Sequence, residues 1–105
     1  MPSLVEDKED RVDYTLMPLE QEKRIIERFM FGAKKYKAWD WLNYTEEDRM
    51  PRYASIHRHL RQAQSGDTSE DHLAAICVQA IILMHIEGKD LSQQKETVET
   101  LGFFK

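Results

Sequence analysis

The stretch from Leu73 to Ile86 limits the folds open to this chain more than any other. It carries Leu73, Ile76, Cys77, Val78, Ala80, Ile81, Ile82, Leu83 and Met84, so apolar residues fall on every side of a helical wheel. A helix apolar all round needs cover all round. Thr68-x-x-Asp71 matches a capping box, which predicts a start at Thr68 or Ser69; the helix then runs to about Glu87 and ends at Gly88-Lys89-Asp90. Two amphipathic partners in a chain of 105 residues cannot easily cover such a surface. We therefore expect a homo-oligomer that packs through this third helix.

Those two partners are legible upstream. Pro18 is preorganised for a first helical turn, with Glu20 and Glu22 favoured there by the helix dipole, and predicts a first helix from Pro18 to about Tyr36. Its expected apolar stripe is Leu19, Ile26, Phe29, Met30 and Ala33, with Glu22 in the same stripe. Glu22 either snorkels out at the helix end or points into a polar site between helices. Lys37 to Asn43, with Trp39 and Trp41, breaks the period and reads as a loop. Thr45-Glu46-Glu47-Asp48 is a capping box, and a second helix follows from about Arg52 to Gln64 with the stripe Tyr53, Ile56, Leu60 and Ala63. Ser65-Gly66-Asp67 closes it, with glycine at the position that favours a left-handed residue. A short final helix is expected from about Leu91 to Leu101, leading to Phe103 and Phe104. The fold class is thus all-α, a compact bundle of three main helices plus a short C-terminal one. Residues 1–15 read as a flexible arm and 16–105 as a single domain.

Composition narrows the function. A net charge of −4 with mixed signs lacks the concentrated basic field that direct DNA or membrane-surface binding needs. The longest continuous apolar run, Ala80 to Met84, is far short of the roughly 20 residues of a membrane span. The acidic first residues resemble no secretory signal, and the single Cys77 has no partner for a disulfide. A soluble protein of a reducing, cytoplasmic compartment is expected. No P-loop, Gly-rich dinucleotide turn, Cys/His zinc spacing or nucleophile elbow is present in the sequence.

What chemistry the chain offers gathers near the turn between the second and third helices: His57, His59, Asp67, Glu70, Asp71 and His72. Asp67, Glu70 and Asp71 are the oxygen donors that Mg²⁺ or Mn²⁺ prefers, and such a cation clamps a polyphosphate. The structural alternative is that Asp67 belongs to the turn and Asp71 to the cap. About 100° per residue places His57 and His59 roughly 160° apart on their helix, too far to share one metal. Each either meets a phosphate or Asp71, or lies half-buried at a core edge. Lys34 and Lys35 complement the first helix's dipole or bind phosphate, and Arg52, Arg58 and Arg61 on polar faces of the second helix are further cations that phosphate recognition could use. Tyr36, Trp39 and Trp41 either stack on a base or pack in the core.

In order and spacing these segments resemble a known family. Phe31-Gly32-Ala33-Lys34-Lys35-Tyr36, then Trp41, Tyr53, Arg58-His59-Leu60, Gly66-Asp67 and His72-Leu73-Ala74-Ala75 look like the phage dATP/dGTP diphosphohydrolase N-terminal domain, grouped with the all-α MazG-like pyrophosphohydrolases. The resemblance covers about residues 10–88. It implies metal-dependent hydrolysis of a nucleoside triphosphate, dGTP or dATP, to the monophosphate and pyrophosphate, with Mg²⁺ or Mn²⁺ between helices of an oligomeric bundle in the host cytoplasm. By position it assigns catalysis to His59 and Asp71, and substrate binding to Lys34, Lys35, Tyr36, Trp41 and Arg58. Metal binding would fall to Asp67, Asp71 and His72, and Glu22 or Glu27 of the first helix, though outside the matched segments, could add a carboxylate. The sequence departs from the family pattern in an abbreviated turn at 66–71, in Gln79 where an asparagine is usual, and in not carrying the E-x-x-E and E-x-x-D pair in the MazG-type form. Those departures keep a second reading open, in which the same scaffold is a non-catalytic oligomeric nucleotide-binding or interaction module.

Overall fold

A computed structural model describes residues 11–89, and all regular structure within them is helical. Three helices dominate: α1, Leu19–Lys35; α2, Arg49–Gln64; and α3, His72–Lys89. Short 3₁₀ turns at Tyr14–Leu16, Asp40–Asn43 and Glu46–Asp48 fill the connections. The expected final helix at 91–101, with Phe103 and Phe104, lies outside the described residues, as does most of the expected arm.

The Thr45 capping box forms as expected, with the Thr45 amide donating to Asp48 Oδ2 at 2.8 Å, and α2 starts at Arg49, three residues earlier than expected. Pro51 sits in its first turn, where a missing N–H costs no intrahelical bond. Gly66 ends α2 with φ of 86°, the left-handed conformation the sequence suggests. The second capping-box expectation does not hold. The helix α3 begins at His72, and Asp71 itself is the cap, its Oδ1 accepting from the Ala74 amide at 3.1 Å. Thr68 to Glu70 stay outside the helix because Asp67 takes the Ser69 hydroxyl and amide in a local turn, at 2.8 and 3.3 Å.

The turn makes α2 and α3 antiparallel. The helix α1 lies along α3 in the same sense, since Arg24 meets Asp71 at the start of α3 while Ile25 and Phe29 pack on the cluster of Val78, Ile82 and Ile86 further on. Trp41 and Tyr44 complete that cluster from the connection between α1 and α2. Trp41 lies 5.8 Å from Phe29 and meets the His85 ring edge-on at 5.3 Å. His85 Nε2–H donates to the Leu42 carbonyl at 2.9 Å and Lys89 Nζ to the Tyr44 carbonyl at 2.7 Å, which ties the connection to the end of α3.

Two stripes are partly rotated from their expected faces, and the third helix is not covered all round. On α1 the covered residues are Ile25 and Phe29, whereas Leu19, Ile26 and Met30 are exposed. On α2 the inward residues are Ser55 and His59, while Tyr53 and Leu60 are 41% and 42% exposed. On α3 burial is one-sided: Ala74, Ala75, Val78, Ile82, Leu83 and Ile86 are buried, but Leu73, Cys77 and Met84 are not. Two helices and one loop leave a strip of Leu73, Cys77, Met84 and Glu87 exposed. By length and hydropathy α3 would pass as a membrane span, but it serves here as the core helix of the bundle.

Candidate functional site

The rotation of α2 carries His59 inward, and the short turn brings His72, the first residue of α3, against it. Both are buried, at 4% and 3% exposure. Their Nδ1 atoms are 2.8 Å apart, and His72 Nε2 meets Asp67 Oδ2 at 2.5 Å. A carboxylate only accepts, so His72 Nε2 carries a proton; in the tautomer with no proton on His72 Nδ1, that nitrogen accepts from the His59 Nδ1–H and the hydrogen bonds run from His59 to His72 to Asp67. Burial pushes the His59 pKa below the ordinary histidine value, which keeps the ring neutral. The His72 hydrogen bond, with that of Ser69, holds the Asp67 carboxyl below the usual range.

Glu70 stands beside the pair. One carboxylate oxygen of Glu70 and one ring nitrogen from each of His59 and His72 lie within 4.8 Å of one another, an arrangement with the donor types of a divalent-cation site. Glu70 is itself paired with Arg28 at 2.9 Å, and Asp71 with Arg24, whose Nε and Nη2 reach the two carboxylate oxygens at 2.8 and 2.7 Å. Arg24 holds the Asp71 carboxyl at a pKa of about 2. An open depression of about 490 Å³ is lined here by Arg24, Asp67, Glu70, Asp71, His72 and Leu73, among others. Its volume is in the range of small-molecule sites.

The acid response of the metal-free chain follows from Asp71. Its folded pKa lies below the unfolded value of 3.8, so its stabilisation is fully present above about pH 4 and is lost as the pH falls through about 2. The side chain is 36% exposed, so solvent screening reduces the effect to about 1 kcal/mol. Denaturant titrations of the chain in chelator should show that loss between pH 4 and 2. Asp71→Asn, which retains a capping oxygen, should flatten this part of the profile.

Of the residues singled out from sequence, His59, Asp67, Glu70, Asp71 and His72 converge here, while His57 is exposed on α2. Lys34, Lys35 and Tyr36 do not join them. Ten residues separate Lys34 from Arg24 on α1, about 15 Å at 1.5 Å per residue. Lys34 and Lys35 form the last turn, with Lys35 Nζ over the Tyr36 ring at 5.4 Å. Trp41 is packed in the core cluster. Glu22 is half-buried in the first turn of α1, and Arg58 is exposed, next to His59, with Nη2 at 3.5 Å from Ser55 Oγ. The arginines of α1 were not singled out. Their signal was the spacing: Arg24 and Arg28 stand four apart, as Ile25 and Phe29 do beside them.

An all-α bundle with an imidazole and carboxylate cluster beside two arginines is a scaffold equipped for a cation and an anionic ligand. The model of the family described as dATP/dGTP diphosphohydrolase, N-terminal, matches residues 3–96, and the chain belongs to that family. No curated protein and no solved structure matches it.

Proposed function

We propose that this chain hydrolyses a purine deoxynucleoside triphosphate, dGTP or dATP, to the monophosphate and pyrophosphate in a reaction that needs a divalent cation. The observation that carries this reading is the His59, Glu70 and His72 cluster lying beside Arg24 and Arg28 in a chain of this family. The substrate follows from the family's description and the reaction from the resemblance noted above.

A bound cation would polarise the phosphoryl oxygens and lower the pKa of the attacking water. Arg24 and Arg28 take the substrate-binding role first assigned to Lys34 and Lys35, their guanidinium groups turning from Asp71 and Glu70 to the phosphates. Water adds to the α-phosphorus, the bond to the α–β bridging oxygen breaks, and pyrophosphate leaves with the electron pair. The water's proton passes to Glu70. Among the acids of the turn, Asp71 already caps α3 and Asp67 already orients His72, so the catalytic role first placed on Asp71 falls to Glu70. His59 acts at the cation. The expected homo-oligomer would use the α3 face of Leu73, Cys77 and Met84, and a cytoplasmic site of action fits a nucleotide substrate.

The second reading is a non-catalytic binding module. The carboxylates of the turn already have partners within the fold, and that observation favours it. Phosphorus NMR of dGTP incubated with the chain and Mn²⁺ separates the two: the enzyme yields monophosphate and pyrophosphate, whereas diphosphate plus phosphate, or unchanged dGTP, rejects the proposed reaction.

A further inference from the structure

Mg²⁺ takes an all-oxygen shell and parts reluctantly with its waters, whereas imidazole nitrogen suits the first-row transition metals. The cluster offers two imidazoles and one carboxylate. Both histidines are buried at the turn between α2 and α3, and Glu70 leads from the open depression to them.

The 2.8 Å separation of the two Nδ1 atoms also fits. Two donors at about 2.1 Å from one ion and at right angles to each other lie about 3 Å apart. The space now bridged by one proton between His59 and His72 is thus the space two neighbouring ligands leave around a cation. Asp67 supplies the remaining feature. Metal-binding histidines donate their other N–H to a carboxylate, which fixes the tautomer and raises the basicity of the ligating nitrogen. His72 makes that contact through Nε2, leaving Nδ1 turned to the cluster.

We propose that His59, Glu70 and His72 bind one first-row transition-metal dication in preference to Mg²⁺, with Asp67 holding His72 in the ligating tautomer. On binding, the proton between the two Nδ1 atoms moves to the Nε2 of His59, and both rings stay neutral. Until substrate draws Arg28 away, Glu70 keeps one oxygen on Arg28 and turns the other to the ion. The inference deepens the metal-dependent reading above and rests on it in taking this cluster as the seat of the reaction's cation.

The test is calorimetric titration of the chelator-stripped full chain with Mg²⁺, Mn²⁺, Co²⁺ and Zn²⁺ separately, with visible absorption recorded for Co²⁺. We expect one Co²⁺ or Zn²⁺ per chain, held at least about 100-fold more tightly than Mg²⁺, with Mn²⁺ between them. Asp67→Asn should weaken Co²⁺ about 10- to 100-fold. Glu70→Gln, on an exposed side chain, should weaken it while leaving the metal-free chain folded. His59→Gln and His72→Gln should abolish the Co²⁺ absorption, and the first two variants decide the matter if these fail to fold. Mg²⁺ binding within tenfold of Co²⁺, or Co²⁺ binding unchanged in both Asp67→Asn and Glu70→Gln, overturns the proposal. Tight Co²⁺ binding without turnover keeps the site and rejects the hydrolase reading. Turnover with Mg²⁺ in a chain that does not take up Co²⁺ does the reverse.

Discussion

Glu70→Gln should lower pyrophosphate release about 10²- to 10³-fold while the thermal midpoint of the metal-free chain barely moves. Gln has nearly the same shape and keeps a hydrogen-bond acceptor for Arg28, so the only large change is loss of the negative charge. In stability terms that charge is worth little. The Glu70 side chain is 38% exposed, and an ion pair of that kind contributes about 0–1 kcal/mol. In the proposed reaction it both contributes an oxygen to the cation and receives the proton of water, so its absence removes two functions at once. Steady-state rates measured beside melting curves distinguish the outcomes. An equal fall in both would make Glu70 a structural acid of the turn.

The second large effect is on folding. Ile86 is fully buried in the cluster with Val78 and Ile82, against which Phe29 and Trp41 also pack. Ile86→Ala removes three carbons from a site enclosed by two aromatic rings and two helices, which cannot collapse freely, and should cost about 2–5 kcal/mol. For a domain of this size that is a drop in melting temperature of at least about 10 °C. Met84, two residues earlier and 62% exposed, should cost under about 1 kcal/mol when changed to Ala. The contrast tests which side of α3 is core. If α3 joins two copies of the chain, the Met84→Ala loss becomes dependent on protein concentration, because association stabilises by mass action.

The fold class, the three main helices and the glycine that ends α2 are legible because they depend on local chemistry: Pro18, the Thr45 box, Gly66 and the apolar density after Leu73 act within a few residues. Helix faces were less legible. Of the stripe Leu19, Ile26, Phe29, Met30 and Ala33 expected on α1, Leu19, Ile26 and Met30 are exposed, and of Tyr53, Ile56, Leu60 and Ala63 on α2, Tyr53 and Leu60 are, because an apolar side chain does not by itself mark the inside. Each helix instead turns toward what its neighbour offers. On α2 that is a histidine and a serine, because His59 finds His72 across the turn and a satisfied polar pair is tolerable in a small core. No spacing rule joins residues 59 and 72 until the turn is closed.

The start of α3 was misplaced for a related reason. Thr68 and Asp71 fit a capping box, yet Asp71 caps by itself, and the residues before it are drawn into the turn by Asp67. Of the candidate site, the acids and histidines were found and the cations were not. Lys34 and Lys35 stood out as a pair in the sequence, whereas Arg24 and Arg28 meet the turn only because α1 runs beside α3 in the same direction.

The most direct test of the central claim is pyrophosphate release from a panel of deoxynucleoside and ribonucleoside triphosphates, with Mn²⁺, with Mg²⁺ and with chelator. We expect release from dGTP or dATP that requires the metal and disappears in Glu70→Gln. Folded protein that releases no pyrophosphate from any nucleotide with either metal would contradict the account.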